Sequence, residues 1–388
     1  MKEGWTTRKF SDIFDLQMGK TPSRDNSSYW GGTNTWVSIA DMNCGKYIYD
    51  TKEHITNSAV SESGIYRVSK DTVIMSFKLS IGKTAIATKD LYTNEAIMSF
   101  NTKEGFEILP DYIYYYLKGY KWQGMNKAVM GMTLNKKAIS NNIFSYPNTL
   151  QQQHIVEELD LLSSIIEKKN AQLNELDNLA QSLFYEMFGD PITNERKWNT
   201  LPLGQLSNMV RGPFGSALKK EFFVPQSKDT YKVYEQKHAI QKDDKIGDYY
   251  ISKEKFEELR RFEVFSGDII MSCSGTIGEF FEIPQGACRG VMNQALLKFK
   301  LNEALINKDY FLFVMQYVKK NFTVHGSGLQ NIGSVKVIKS VRIGVPSLDL
   351  QSCFSQRLRA INETKILIKK SIEEVETLFN SRMDYYFN

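Results

Sequence analysis

Between Tyr112 and Val156 the chain carries no aspartate or glutamate, yet Lys118, Lys121, Lys127, Lys136 and Lys137 stand there with Tyr120 and Trp122 among them. From Tyr310 to Leu348 acids are again missing, while Lys319, Lys320, Lys336, Lys339 and Arg342 supply five positive charges. Cation-only stretches with interleaved aromatics suit one chemistry above others, the neutralising of nucleic-acid phosphates. A solvated charged face is the plainer reading of either stretch alone, but its recurrence weighs against that. The formal net charge of +5, from 49 Lys and Arg against 44 Asp and Glu, decides nothing by itself.

Groups suited to bond-making chemistry are scarce. Cys44, Cys273, Cys288 and Cys353 lie far apart without a C-x-x-C pair, and His54, His154, His238 and His325 are equally scattered, so no metal site is expected. The glycine-rich runs SCSGTIG (272–278) and HGSGLQNIG (325–333) lack the G-x-x-x-x-G-K-[ST] spacing of a nucleotide loop. They read as turns or as backbone N–H contacts to phosphate, a role shared with SFKLSIG (76–82) and GMTLN (131–135). Holding a base's amino group for methyl transfer takes an Asn/Asp-Pro-Pro-aromatic loop. The nearest run is Asp190, Pro191, Ile192, Thr193, a helix stop. Neither H-E-x-x-H nor G-x-S-x-G occurs, so no catalytic residue is nominated. No run approaches the roughly eighteen apolar residues of a membrane span, and MKEGWTTRKF has no apolar signal core, so a cytoplasmic protein is expected.

What must position the basic stretches is a duplication. Trp5, Phe10, Ile13 and Gly19 align with Trp198, Leu203, Leu206 and Gly212 at an offset of 193. DTVIMSFKLSIGK from Asp71 aligns with GDIIMSCSGTIGE from Gly267 at 196. NEAIMSF from Asn94 matches NQALLKF from Asn293, an Asp-Tyr pair follows each (Asp111 and Tyr112, Asp309 and Tyr310), and Pro147 matches Pro346. With 42% hydrophobic and 24% charged residues, each repeat has enough apolar side chains for its own core. The segments VIMSF, AIMSF, GDIIMS and ALLKFK read as short strands, and 112–120 and 309–320 as helices, which makes each repeat a mixed α and β unit.

A long helix closes each repeat. Ile155, Leu159, Leu162, Ile166, Leu173, Leu176, Ala180, Leu183 and Met187 form a heptad stripe broken at Lys169. Phe354, Leu358, Ile361, Ile368, Ile372, Val375 and Phe379 repeat it, with Lys365 and Arg382 as the polar positions. A helix over 150–188 would run roughly 58 Å. So narrow a stripe predicts an antiparallel coiled coil between the two helices, and with it a pseudo-twofold dumbbell. Packing of each helix on its own domain, or a seam shared with other chains, is the alternative. The boundaries expected are 1–149 and 195–346 for the two globular units, 150–188 and 347–388 for the helices, and 189–194 for a linker.

Taken together, the twice-used opening Trp, the M-S-x4-I-G block and the closing Pro-x4-Gln (Pro147 with Gln152, Pro346 with Gln351) resemble the specificity subunit of a Type I restriction-modification system. YWGGTNTWVSIADM (29–42) is similar to the family's first target-recognition domain. The resemblance covers essentially the whole chain. In the second closing, Leu350 and Ser352 stand where the first has Gln151 and Gln153.

The resemblance implies an α+β fold in which each unit reads half of a bipartite, asymmetric site in double-stranded DNA. It implies two docked modification subunits that hold S-adenosylmethionine and methylate adenine, with restriction subunits able to join. This chain would bring no cofactor, metal or catalysis of its own. A coiled-coil scaffold without a DNA role, and a DNA-modifying enzyme, are the competing classes. The loop residues expected at DNA are Lys20, Ser23, Arg24, Asn26, Lys78 and Lys136 in the first half, and Lys219, Lys220, Lys237, Ser274, Gln330 and Lys336 in the second.

Overall fold

The computed structural model describes residues 4–43, 45–123, 126–128, 131–319, 322, 324–325, 331–332 and 334–388. Two compact units emerge, Met1–Gln172 with Ile368–Asn388, and Leu173–Leu367. The division falls within the two long helices, Thr149–Phe188 and Leu348–Phe387. Each unit therefore contains the first half of its own repeat's helix and the second half of the other's. Among the described residues no helix is long and apolar enough to cross a membrane.

In the first unit a five-stranded sheet runs in the order Phe14–Met18, Ile97–Thr102, Val73–Ser76, Thr84–Ala87, Tyr47–Ile48, with only the last pair parallel. A second sheet sets Trp30–Val37 between Glu53–Ile55 and Tyr92–Thr93. The second unit has the sheet Ser207–Arg211, Leu296–Leu301, Ile269–Ser272, Phe280–Glu282, antiparallel throughout. A further sheet pairs Tyr231–Tyr234 with Gly290–Met292 in parallel. The helices Pro110–Gly119 and Lys308–Val318 lie close to where their tyrosines and phenylalanines placed them.

Repeated sequence blocks turn out to be repeated hydrogen-bond circuits. Ser76 and Ser272, wholly buried, close the hairpin in M-S-x4-I-G. The Ser272 hydroxyl donates to Thr276 O at 2.6 Å and accepts from Glu279 N at 3.0 Å, while Ser76 donates to Ser80 O and accepts from Lys83 N at 3.1 Å. Gly82 and Gly278, with φ of +88° and +79°, each donate to that serine's carbonyl at 2.9 Å. Ser76 and Ser272, in the runs expected to touch a phosphate, thus spend their hydroxyls on the turn itself.

The closing glutamines clamp each helix to its unit. Gln152 accepts from Leu109 N at 2.9 Å and donates to Pro147 O and Glu107 O. Gln351 accepts from Asn307 N at 2.7 Å and donates to Pro346 O and Leu305 O.

The helix seam is a pairing and a packing surface at once. In the second unit Asp177 receives an ion pair from Lys365 while Phe184 and Phe188 meet Phe354, so residue numbers rise on one helix as they fall on the other, as an antiparallel pair requires. In the first unit the Arg382 guanidinium donates to both Glu158 oxygens at 2.5 and 2.8 Å. Ile155, Leu159, Leu162, Phe354, Leu358, Ile361 and Ile372 are buried, whereas Ile166, Leu173, Leu176, Leu183, Ile368, Val375 and Phe379 are half-buried.

The helices pair with each other, and neither packs on its own repeat's unit alone: each starts in that core (Ile155 and Leu159; Phe354, Leu358 and Ile361) and ends in the core of the other repeat. Met383 and Phe387 join the first unit's aromatic core around Phe10, Tyr112, Tyr116 and Phe144. In the second unit Phe184 stacks on Phe313 at 4.8 Å and on Tyr310 at 5.8 Å. Leu183 and Met187, read as seam, flank Phe184 and Phe188, which are the fully buried residues there. The last turns of the first helix have rotated toward the domain core.

Candidate nucleic-acid interface

In both units the first long strand ends on a glycine where another loop presses against the backbone. A Cβ on Gly19 would fall 2.2 Å from Thr93 O, and one on Gly212 would fall 1.8 Å from Asn293 O, so only glycine lets the chain pass. Asn94 and Asn293 hold the facing loops alike, each accepting from the amide two residues on at 3.0 Å. The chain after each glycine is thereby fixed beside a short helix, Lys136–Asn141 or Val335–Ser340, whose first turn is capped by Asn135 or Ser334.

Each of these junctions opens a cleft. The first, about 760 Å³, is lined by Lys20, Lys103, Lys136, Asp15, Tyr66 and Ser140 among others. The second, about 950 Å³, is lined by Arg211, Arg261, Lys336, Phe214 and Gln294 among others. Cations, hydroxyls and an aromatic ring in an open cleft suit an anionic, stacked polymer better than a small apolar ligand. Among the described residues no group of three His, Cys, Asp or Glu could hold a metal ion.

Of the residues expected at DNA in the first unit, Lys20 and Lys136 meet in one cleft, both exposed. Ser23 and Arg24 lie on a loop pinned by two indoles: Trp30 Nε1 donates to Ser23 O at 3.1 Å and Trp36 Nε1 to Lys20 O at 3.2 Å. Arg24 makes a forked pair with Glu53 at 2.5 and 2.9 Å, and its guanidinium carbon lies 3.8 Å from the Trp30 ring centroid. That pair holds the Glu53 carboxyl below its ordinary range. Asn26 caps the turn Ser27–Tyr29. Arg24 and Asn26 thus give the loop its shape. Lys78 sits apart on the hairpin, its ammonium 5.3 Å from the Phe77 ring.

In the second unit Lys336 lines the cleft, whereas Lys219, Lys220, Lys237 and Ser274 do not. Lys219 faces Glu221 at 3.8 Å, and Lys237 pairs with Glu235 at 2.9 Å. Lys220 opens the turn Lys220–Phe222, and Ser274 lies on the hairpin turn after Ser272. Gln330 lies outside the described residues, as do Cys44, Lys320 and the side chain of Lys127.

The acid-free stretches do not form two continuous basic surfaces. Lys121 reaches Asp384 at 3.7 Å, Lys319 reaches Glu279 at 2.7 Å, and Arg342 donates to Thr200. Acids missing from the local sequence arrive from elsewhere in the fold. The cations left exposed and unspent by such pairs cluster on the short helices, at Lys136, Lys137, Lys336 and Lys339. Arg211, Arg261 and Lys103 lie outside those stretches; Arg211 alone falls in a run, RGPFGSALKKE (211–221), that is turn-rich and polar as an exposed recognition loop would be.

Two units of one design thus each open a cleft with basic lining beside an equivalent glycine. The profile of the Type I restriction modification DNA specificity domain matches twice, over residues 2–178 and 195–377, and the chain belongs to that family. It is 28% identical over 250 residues to the Type I restriction enzyme MjaIX specificity subunit of Methanocaldococcus jannaschii, a match covering 58% of this chain and only 56% of that relative. A putative MjaX specificity subunit from the same organism is 20% identical over 398 residues, covering 96% of this chain and 90% of the relative.

The fold is shared with the S subunit of a Type I system from M. genitalium (TM-score 0.51, 13% identity, 98% of this chain and 95% of that one). It is shared also with a chain solved in a study of complex assembly and conformational transition of the type I R-M system (TM-score 0.64, 14% identity, 100% and 98%).

Proposed function

We propose that this chain addresses a Type I restriction-modification enzyme to its DNA site, each unit reading one half of a bipartite, asymmetric sequence. The carrying observation is the recurrence of one cleft at the same point of both repeats with different cationic linings, Lys20 and Lys136 against Arg211, Arg261 and Lys336. Phosphate contacts from these cations set register, and side chains on the adjoining loops read base edges. The paired helices serve as spacer and as the dock for two modification subunits. Those partners bind S-adenosylmethionine and methylate adenine in the cytoplasm, restriction subunits join them for cleavage, and this chain performs no catalysis.

Co-expression with a modification subunit in a methylation-free host, followed by genome-wide mapping of methylated adenine, tests this. The expected motif is gapped and asymmetric, and exchanging residues 1–149 for those of a relative changes one half of it. Absence of any modified site with every partner tried would favour a scaffold, and methylation by the purified chain alone would make it an enzyme.

A further inference from the structure

Phe214 is 89% exposed on a loop that is otherwise firmly built. Gly212 donates to Leu296 O at 3.0 Å, Pro213 is buried, Ala217 N donates to Phe214 O at 2.9 Å, and Leu218 behind it is buried. The backbone is therefore held on both sides of a ring that points into water. A scattered exposed apolar side chain needs no explanation, but a rigidly mounted phenylalanine among cations is a different object. The cleft it borders is lined by Arg211, Arg261 and Lys336, with Gln294 and no carboxylate among its lining residues. Arg211 is oriented there by donating from Nε to Gln294 O at 2.9 Å.

The first unit mounts no ring on the equivalent loop; the exposed aromatic of its cleft, Tyr66, comes from another segment. At the offset that aligns Gly19 with Gly212, Phe214 corresponds to Thr21, whose hydroxyl donates to Glu95, the residue matching Gln294. The neighbouring loop there stacks Arg24 on Trp30 and presents no free ring. The difference lies in what the loop offers outward, not in how it is built.

We propose that Phe214 is a wedge, inserting its ring between two stacked base pairs of the half-site read by the second unit while Arg261 and Lys336 hold the flanking phosphates. The proposal rests on the DNA-reading function above and deepens it. A ring that parts a base step selects for steps that open readily, so the second half-site contains a pyrimidine–purine step, TA or CA/TG, beneath Phe214. That selectivity needs no hydrogen bond to a base.

The test uses the full chain assembled with its modification subunit and synthetic duplexes carrying the mapped site. 2-Aminopurine, whose fluorescence rises on unstacking, replaces in turn each adenine except the methylated one. The expected result is a rise at one step of the second half-site with the wild type and its loss with Phe214→Ala. Affinity for the site falls about tenfold or more, and the melting temperature is unchanged because the ring is already in water. Phe214→Trp retains both signal and affinity.

A Phe214→Ala complex that keeps the signal and the affinity overturns the wedge while leaving the DNA-reading function intact. So does a variant whose defect is weaker assembly with the modification subunit. A wild-type complex that does not distinguish the mapped duplex from a scrambled one overturns the DNA-reading function itself, and the wedge with it.

Discussion

Gln351 stands 199 residues after Gln152 and binds its surroundings in the same way, its amide wholly buried between a proline carbonyl, the carbonyl of a preceding loop and a backbone N–H. A helix that must leave a domain at a set angle needs its first turn tied down. A buried amide does this through both ends of its dipole.

Gln152→Ala and Gln351→Ala should each destabilise their own unit by about 2–3 kcal/mol, because Leu109 N or Asn307 N is then buried without a partner. Urea unfolding followed by a probe in each unit checks this. A midpoint shift spread equally over both units would contradict the local clamp.

Phe184 lies between Tyr310, Phe313 and Phe354 and is fully buried. Phe184→Ala should cost about 3–5 kcal/mol by leaving a cavity in that stack. Leu179→Ala, 51% exposed on the same helix, should stay within about 0.5 kcal/mol of the wild type. Thermal unfolding of the pair separates a packed helix from one that merely lies alongside.

The Glu158 carboxyl is held below its ordinary 4.5, chiefly by the hydrogen bonds from Arg382. A lowered carboxyl contributes stability above its unfolded value and loses it as pH falls through the folded one. Wild type should therefore exceed Arg382→Gln by a constant, small margin above about pH 5, and the margin should close as the solution is acidified below that. Denaturation midpoints against pH give the answer, and a margin that persists into strong acid removes the pair from the account.

Cys273 is buried and its thiol is pushed up to about 12 by desolvation, while Cys288 is exposed. Thiol reagents at pH 8 should label Cys288 readily and leave Cys273 unmodified until the second unit unfolds. Mass mapping of the labelled peptides reads this directly.

If Lys20 and Lys136 share one stretch of DNA backbone, Lys20→Glu and Lys136→Glu in the assembled enzyme should each lower the salt slope of binding by about 0.9. The same charge reversal at Lys121, which is paired with Asp384, should leave the slope unchanged. Equal effects at all three positions would point to general charge rather than to a cleft.

The duplication was legible because its recurring residues carry indispensable jobs: a serine that closes a turn, a glycine that admits a neighbouring backbone, a glutamine that ties a helix. Counting heptads found the helices for a similar reason, since a stripe of Ile and Leu has few other uses. What the stripe hid was Phe184 and Phe188, which sit beside the counted positions and serve the domain core instead. The basic stretches misled for a plainer reason. Counting acids along the chain says nothing of the acids the fold delivers, as Asp384 does to Lys121 and Glu279 to Lys319. Arg261 reaches its cleft from a segment with no periodicity to expose it, whereas Phe214 lies in the turn-rich run 211–221, whose composition suits any surface loop.

Met383 and Phe387 are part of the first unit's core, although nearly the whole second repeat is translated before them. As the ribosome advances, residues 1–172 emerge early but wait with an unfilled aromatic surface until those last turns appear. The second unit, by contrast, has all of its own residues once Leu367 has been made. The repeat synthesised first is thus the one completed last. A nascent chain of this design holds an unfinished domain exposed for most of its synthesis, the interval in which a chaperone would matter most.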